Sequence, residues 1–98
     1  MDGSIMDISH WRDKIDSADE RLVALLNERA GYVLAIGAIK KELHAPIHEP
    51  RREMQVMENI HKWNQGPLED SALTRIFERI IDEMRAIQRG PMGEPRKD

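Results

Sequence analysis

The sequence predicts an all-α protein in which each chain forms three helices, the first very long, and pairs with a second copy in an intertwined homodimer. Apolar residues recur at steps of three and four in three separate segments, and no segment shows the strict alternation of a β-strand. Pro residues and a Gly-Pro pair separate these segments. The first segment is also too long for a compact domain of 98 residues.

The first helix is predicted from about Ile8 to Leu43. It contains no Pro, and only Gly31 and Gly37 weaken its helical propensity. A helix of this length extends about 54 Å at ~1.5 Å per residue, whereas a domain of this size has a radius of gyration of only ~13 Å. Its apolar side must therefore be covered by another copy of the chain. That side consists of Trp11, Ile15, Ala18, Leu22, Leu25, Leu26, Val33 and Ile36.

The second helix is predicted to follow a short loop that Pro46 and Pro50 enclose. Pro50 suits the first turn of a helix, where the missing N–H would have had no partner. The helix continues to about Trp63, and the sequence Asn-Gln-Gly-Pro that follows ends it.

The third helix is predicted from about Glu69 to Arg89, and Gly90 ends it in the manner usual for helix C-termini. One face of this helix carries Leu73, Ile76, Phe77, Ile80, Met84 and Ile87. The chain is thus divided into an N-terminal extension (1–7), a helical domain (8–89) and a tail (90–98). The tail is rich in Gly, Pro and charge, which predicts a disordered terminus or the remnant of a linker.

Composition excludes several classes of protein. The absence of Cys excludes disulfides and thiolate metal sites. No apolar run approaches the ~18 residues of a membrane span, and the N-terminus lacks the pattern of a signal peptide, so we expect a cytoplasmic protein without a membrane partner. The net charge is −3 and only 4% of residues are aromatic. A basic face with interleaved aromatic residues is therefore missing, and we expect no nucleic-acid partner.

Charged residues occupy the apolar faces of the first two helices. On a wheel of 100° per residue, Arg29 and Lys40 lie at the centre of the apolar sector of the first helix. Glu53 lies in the middle of the apolar face of the second helix, and Arg52 lies at its edge. Desolvating an unpaired cation is costly, so these residues require partners.

Three arrangements satisfy this requirement. Glu53 pairs with Arg29 or Lys40 in an ionic network that binds no ligand. Alternatively, the long side chains extend past the apolar residues to solvent. In the third arrangement a small polyanion, particularly a carboxylate held by the fork of a guanidinium, binds among the cations. Cations outnumber acids on these apolar faces, which favours the anion.

Spacing along the chain favours a small ligand. Arg29 and Lys40 are about 16 Å apart along the helix axis, so their long side chains can converge on one molecule between them. Arg12 precedes Arg29 by about 25 Å and would, in an antiparallel dimer, reach the site of the other chain. Gln88, at the edge of the third apolar face, either donates to an oxygen of the ligand or is a polar residue near the end of the helix.

Four stretches of the chain carry a family resemblance: WRDKIDSADERLVALLNERA, IGAIKKE, PIHEPRREM and LTRIFERIIDEMRAIQ. In this order and at these separations they resemble the all-helical chorismate mutases, the AroQ class, from about Trp11 to Arg89. The resemblance implies a homodimer with two equivalent active sites, each completed by an arginine of the other chain. It also implies conversion of chorismate to prephenate, on the shikimate pathway to phenylalanine and tyrosine.

The resemblance assigns roles to residues of the first and third helices. The arginine that enters the site from the other chain corresponds to Arg12, and the carboxylate-binding arginine of the first helix to Arg29. The lysine that binds the ether oxygen and a carboxylate corresponds to Lys40. The glutamine that contacts the ether oxygen corresponds to Gln88.

The resemblance also covers the loop and the second helix, with two departures. The acidic position of the loop matches Glu49, the arginine matches Arg52, and the glutamate that binds the substrate hydroxyl matches Glu53. Met84 stands where some members have a serine that helps to hold a carboxylate, so one polar contact is lost. Glu49 replaces an aspartate of those members.

The implied reaction is an intramolecular rearrangement that requires no nucleophile, metal or cofactor. Arg12 and Arg29 would clamp the carboxylates in a reactive conformer, while Lys40 and Gln88 would stabilise charge on the ether oxygen. An isochorismate-pyruvate lyase on the same scaffold is one alternative. Another is a non-catalytic regulatory or dimerisation domain, of the kind fused to other enzymes of the pathway. Glu53 and Gln88 together favour the mutase.

Overall fold

The computed structural model describes residues 7–93 and places them in three α-helices. These are α1 (Ile8–Leu43), α2 (Pro50–Trp63) and α3 (Asp70–Gly93). No strand occurs in residues 7–93. The predicted all-α class and the three helices are therefore confirmed.

Local chemistry sets both ends of α1. The Asp7 carboxylate accepts hydrogen bonds from the backbone N–H groups of Ser9 (3.0 Å) and His10 (3.4 Å), as an N-cap residue does. At the other end, His44 has a positive φ of 57°, and the N–H of Ala45 donates to the carbonyl of Lys40 at 2.9 Å. The helix thus ends at a left-handed residue before Pro46 is reached.

The N-terminus of α2 forms as predicted. Pro50 occupies its first turn, and Glu49 is the N-cap residue. The side chain of Glu49 makes no capping hydrogen bond. This carboxylate therefore remains available for a contact outside α2.

The C-terminal part of α3 departs from helical geometry where the sequence predicts an end. Gly90 has φ 72° and ψ 162°, a left-handed conformation that favours Gly. Helical backbone resumes after this break to Gly93, although the tail was expected to start at Gly90. The rest of that tail (94–98) and residues 1–6 of the N-terminal extension lie outside the described residues.

The chain separates into two units, of which the first ends at Tyr32 and the second begins at Val33. In the second unit α2 packs against α3. The buried apolar side chains are Val56, Ile60 and Met84. The ring of His61 on α2 and the hydroxyl of Thr74 on α3 also lie within hydrogen-bond distance, at 2.7 Å.

The apolar side of α1 is exposed. Trp11, Ile15, Leu22, Leu25 and Ile36 each leave about half of their surface or more open to solvent. By length and composition alone, α1 could also cross a membrane. Even so, Glu28 and Arg29 lie within the helix, and ionised side chains are costly in a bilayer core. The same length and composition fit a helix whose apolar stripe is covered by protein.

Candidate functional site

Lys40 is a buried cation at the C-terminal end of α1. The residue is only 9% exposed. Its Nζ donates to the carbonyl of Ile47 at 3.0 Å and lies 3.3 Å from the carboxylate of Glu49. The turn at His44 brings the loop back across the last turn of α1, and this places both partners beside the ammonium group. The contacts fix the position of the charge without removing it from the protein interior.

Gln88 on α3 approaches the same part of α1. Its Nε2 donates to the carbonyl of Val33 at 3.1 Å. A Cβ atom built on Gly37 would lie 3.3 Å from Cγ of Gln88, which is tighter than most Cβ contacts in proteins. Gly37 therefore provides the space in which the Gln88 side chain crosses α1.

Val33, Gly37 and Lys40 lie on one face of α1, because residues spaced by four and seven positions share a face. Gly37 precedes Lys40 by about 4.5 Å along the axis, and Val33 precedes it by about 10.5 Å. The amide of Gln88 and the ammonium of Lys40 thus both supply N–H donors along this face of α1. Such a pair suits an oxygen atom that gains negative charge.

Glu53 belongs to a second cluster of charges, between α2 and α3. Its Oε2 lies 2.5 Å from Nη2 of Arg85 and 3.7 Å from Nε2 of His48. Nη1 of Arg85 also lies 3.5 Å from the carboxylate of Asp82, one turn earlier on α3. The Glu53 carboxylate is therefore held by a guanidinium from another helix.

These pairs differ from the pairing expected in a ligand-free ionic network. Lys40 contacts Glu49 and not Glu53, because the loop and not α2 lies against the end of α1. Glu53 contacts Arg85 and not Lys40. Glu49 and Arg85 add one charge of each sign to these residues, so the excess of cations that the sequence suggested is unchanged.

Arg85 was missed in the sequence, although a signal was present. It precedes Gln88 by three residues, so the two share one side of α3. Arg52, at the edge of the apolar face of α2, is exposed, and its guanidinium donates to the side chain of Gln55 at 2.8 Å. Met84 is buried among the apolar residues of the second unit.

Arg12 and Arg29 belong to the first unit. Arg12 is exposed near the start of α1. Arg29 is half-buried and interacts with another group of the protein. Close to Arg29, the hydroxyl of Tyr32 donates to the carboxylate of Glu28 at 2.9 Å. This hydrogen bond, together with the negative charge of Glu28, raises the pKa of Tyr32.

Comparisons with families and solved structures give one consistent result. A family model described as chorismate mutase type II matches residues 11–89. The structure of chorismate mutase (form II) from Thermus thermophilus superposes with a TM-score of 0.83 and 26% sequence identity. That superposition covers 86% of this chain and 96% of the Thermus chain.

Curated relatives include proteins of two lengths. The bifunctional chorismate mutase/prephenate dehydratase of Neisseria gonorrhoeae is 36% identical over 89 residues, which are 84% of this chain and 24% of that protein. The chorismate mutase of Methanocaldococcus jannaschii is 28% identical over 88 residues, 89% of each chain. The chain therefore spans about a quarter of the length of the bifunctional relatives that it matches.

Proposed function

Because this chain belongs to the type II chorismate mutase family, we propose that it converts chorismate to prephenate. The observation that carries the proposal is the buried Lys40, held by Glu49 and the carbonyl of Ile47, on the face of α1 that the amide of Gln88 also contacts at Val33. Family membership supplies the substrate. The placement of these two donors supplies a means of acceleration.

Lys40 and Gln88 act on the bond that breaks. In the rearrangement the ether C–O bond breaks while a C–C bond forms within the same molecule, and negative charge grows on the ether oxygen. An ammonium group has three N–H donors, and Lys40 uses two of them for Ile47 and Glu49. A Gln amide has two N–H donors, and Gln88 uses one of them for Val33. Each group retains a donor for the ether oxygen, and fixed donors of this kind usually contribute most to the rate acceleration.

The remaining residues bind and fold the substrate. Arg29 and, from the second copy, Arg12 hold the two carboxylates of chorismate, and Glu53 accepts a hydrogen bond from its ring hydroxyl. Glu49 orients Lys40, to which it is already paired. Holding both ends of a flexible molecule in a compact conformer removes much of the entropic part of the barrier.

Two further candidates line the edge of the site. Arg52 adds positive charge at the entrance, since its side chain is exposed and donates to the neutral amide of Gln55, which leaves its charge uncompensated by that contact. Met84 presents an apolar surface where a hydroxyl stands in some relatives, so the substrate carboxylate depends more on the arginines.

The functional unit is a homodimer. The exposed apolar stripe of α1 requires a cover, and a second copy of α1 offers one of matching length and composition. This pairing also gives Arg12 a role, because the arginine is exposed in the single chain. Sedimentation analysis should show a dimer at micromolar concentration, and a stable monomer with full activity would contradict this assembly.

The bifunctional relatives suggest the metabolic pathway in which this chain acts. Their names join a chorismate mutase to a prephenate dehydratase, an enzyme that consumes the product proposed here. We therefore place this chain in cytoplasmic biosynthesis of phenylalanine and tyrosine, with a prephenate-consuming enzyme as its fusion or functional partner.

The test is to incubate the purified protein with chorismate, follow its disappearance by ultraviolet absorbance and identify the product. Saturable formation of prephenate is expected. Arg29→Ala and Lys40→Ala, purified identically, should remove it, whereas the neighbouring exposed Lys41→Ala should not, which excludes a contaminating host enzyme. Release of pyruvate from isochorismate instead would indicate a lyase. No turnover of either substrate would indicate a binding domain and contradict the proposal.

A further inference from the structure

Arg85 is the cation that holds Glu53. Its Nη2 lies 2.5 Å from Oε2 of Glu53, and the two residues come from different helices, α3 and α2. Both side chains are largely withdrawn from solvent, with 22% of Arg85 and 29% of Glu53 exposed. Salt screens a partly buried pair less than an exposed one. The pair therefore fixes the Glu53 carboxylate relative to α3, the helix that also carries Gln88.

We propose that Arg85 is a positioning residue, which holds Glu53 as a charge-neutralised acceptor for the ring hydroxyl of the substrate. This inference rests on the proposed chorismate mutase function. Arg52, the neighbour of Glu53 in the chain, contacts Gln55 instead.

The geometry of the carboxylate supports this role. The contacts with Arg85 and His48 both use Oε2 of Glu53. A carboxylate has two oxygens and about four acceptor sites, so neither contact occupies Oε1. The guanidinium is itself held from a second side by Asp82, at 3.5 Å from Nη1. Arg85 is thus anchored, and through it one oxygen of Glu53 is anchored while the other remains an acceptor.

Electrostatics gives the reason for such a partner. Chorismate carries two carboxylates, and an uncompensated Glu53 in the same site would repel them. For like charges roughly 6–8 Å apart at an effective dielectric constant of about 20, the repulsion corresponds to roughly 30- to 100-fold in affinity. Arg85 cancels this repulsion while leaving the hydrogen-bond acceptor in place. The same repulsion acts on the bound substrate and on the transition state, so losing Arg85 should raise KM and change kcat little.

The experiment compares Arg85→Met, which removes the charge and keeps an unbranched apolar stem, with the double variant Arg85→Met/Glu53→Gln. For Arg85→Met we expect KM for chorismate to rise roughly 30- to 100-fold, with kcat within about threefold of the wild type. Added salt should reduce this increase, because screening weakens the repulsion. The double variant lacks the uncompensated charge, so its KM should return to within about tenfold of the wild-type value.

Two further variants serve as controls. Arg79→Met removes an arginine from an exposed ion pair with Glu83 on the same helix, and it should leave KM unchanged. Arg85→Lys keeps the charge and should keep KM within about tenfold of the wild type, even if Arg85→Met proves poorly folded by circular dichroism.

The outcomes separate the possibilities. A KM for the double variant as high as that of Arg85→Met would show that Arg85 binds a substrate carboxylate directly, and would overturn the inference. A fall in kcat without a change in KM, or wild-type kinetics for Arg85→Met, would overturn it as well, with the mutase activity intact. An inactive wild-type protein would instead overturn the proposed function and this inference with it.

Discussion

Replacing Gly37 by Ala tests the close crossing of Gln88 over α1. The added Cβ would lie 3.3 Å from Cγ and 3.6 Å from Cβ of Gln88. Gln88 therefore has to move away by a few tenths of an ångström, and its hydrogen bond to the carbonyl of Val33 (3.1 Å) lengthens with it. The substitution thus displaces one of the two proposed donors to the ether oxygen without altering its chemistry.

Two opposing effects set the change in stability. Ala is about 1 kcal/mol more favourable than Gly inside a helix, whereas overpacking costs about 1–3 kcal/mol. The net change is expected to lie between roughly zero and about 2 kcal/mol of destabilisation. Gly31→Ala is the matched control, because nothing lies within 4 Å of the added Cβ. This variant should gain the full stabilisation of about 1 kcal/mol that helical propensity gives.

The effect on catalysis follows from the displacement. A misplacement of about 1 Å costs about 100-fold in rate, so a few tenths of an ångström correspond to a roughly three- to tenfold fall in kcat. Urea denaturation and saturation kinetics on both Ala variants provide the measurements. If Gly37→Ala were as stable as Gly31→Ala and had the wild-type kcat, Gln88 would not need the space at Gly37, and the proposed donor geometry would be refuted.

Three other substitutions have expected outcomes. Lys40→Arg should lower kcat by about 10²-fold although the charge remains, because a planar guanidinium presents its donors differently from an ammonium. Saturation kinetics with chorismate measures this kcat. Arg12→Ala and Lys40→Ala should each be nearly inactive alone, but refolding them together should restore about a quarter of the sites if Arg12 acts across a dimer. No recovery would place Arg12 outside the site. Finally, Glu28→Gln should lower the pKa of Tyr32, the only tyrosine, in an alkaline absorbance titration. Because the folded-state pKa is raised, its contribution to stability is present at neutral pH and is lost as pH rises through that pKa. An unchanged titration would contradict the hydrogen bond.

Local patterns in the sequence are sufficient to predict the helices. Hydrophobic periodicity alone predicts α1. Pro50 marks the start of α2 because its φ is fixed near the helical value. Gly90 marks the break in α3 because Gly readily adopts a positive φ. The burial of Lys40 also follows from its position on the helical wheel, because the wheel depends only on spacing along one helix.

Side-chain contacts between different helices and loops cannot be predicted from the sequence in this way. Glu49 reaches Lys40 because His44 adopts a left-handed conformation that returns the loop across α1, and nothing in the residue type of His44 demands this. Arg85 contacts Glu53 only when α3 packs on α2. The small distance between Gly37 and Gln88 likewise depends on how two helices approach. Such contacts depend on the conformation of a loop or on how helices pack, so spacing along the chain carries no direct signal of them.

The rate of the Lys40→Ala variant at saturating chorismate tests the proposed mechanism most directly. Lys40 is the buried, fixed cation to which stabilisation of the ether oxygen is assigned. By analogy with loss of an oxyanion donor, kcat should fall about 10²- to 10³-fold, while Lys41→Ala retains the wild-type value and circular dichroism shows both variants to be folded. A folded Lys40→Ala protein with kcat within about tenfold of the wild type would contradict the role of Lys40 as the stabilising charge.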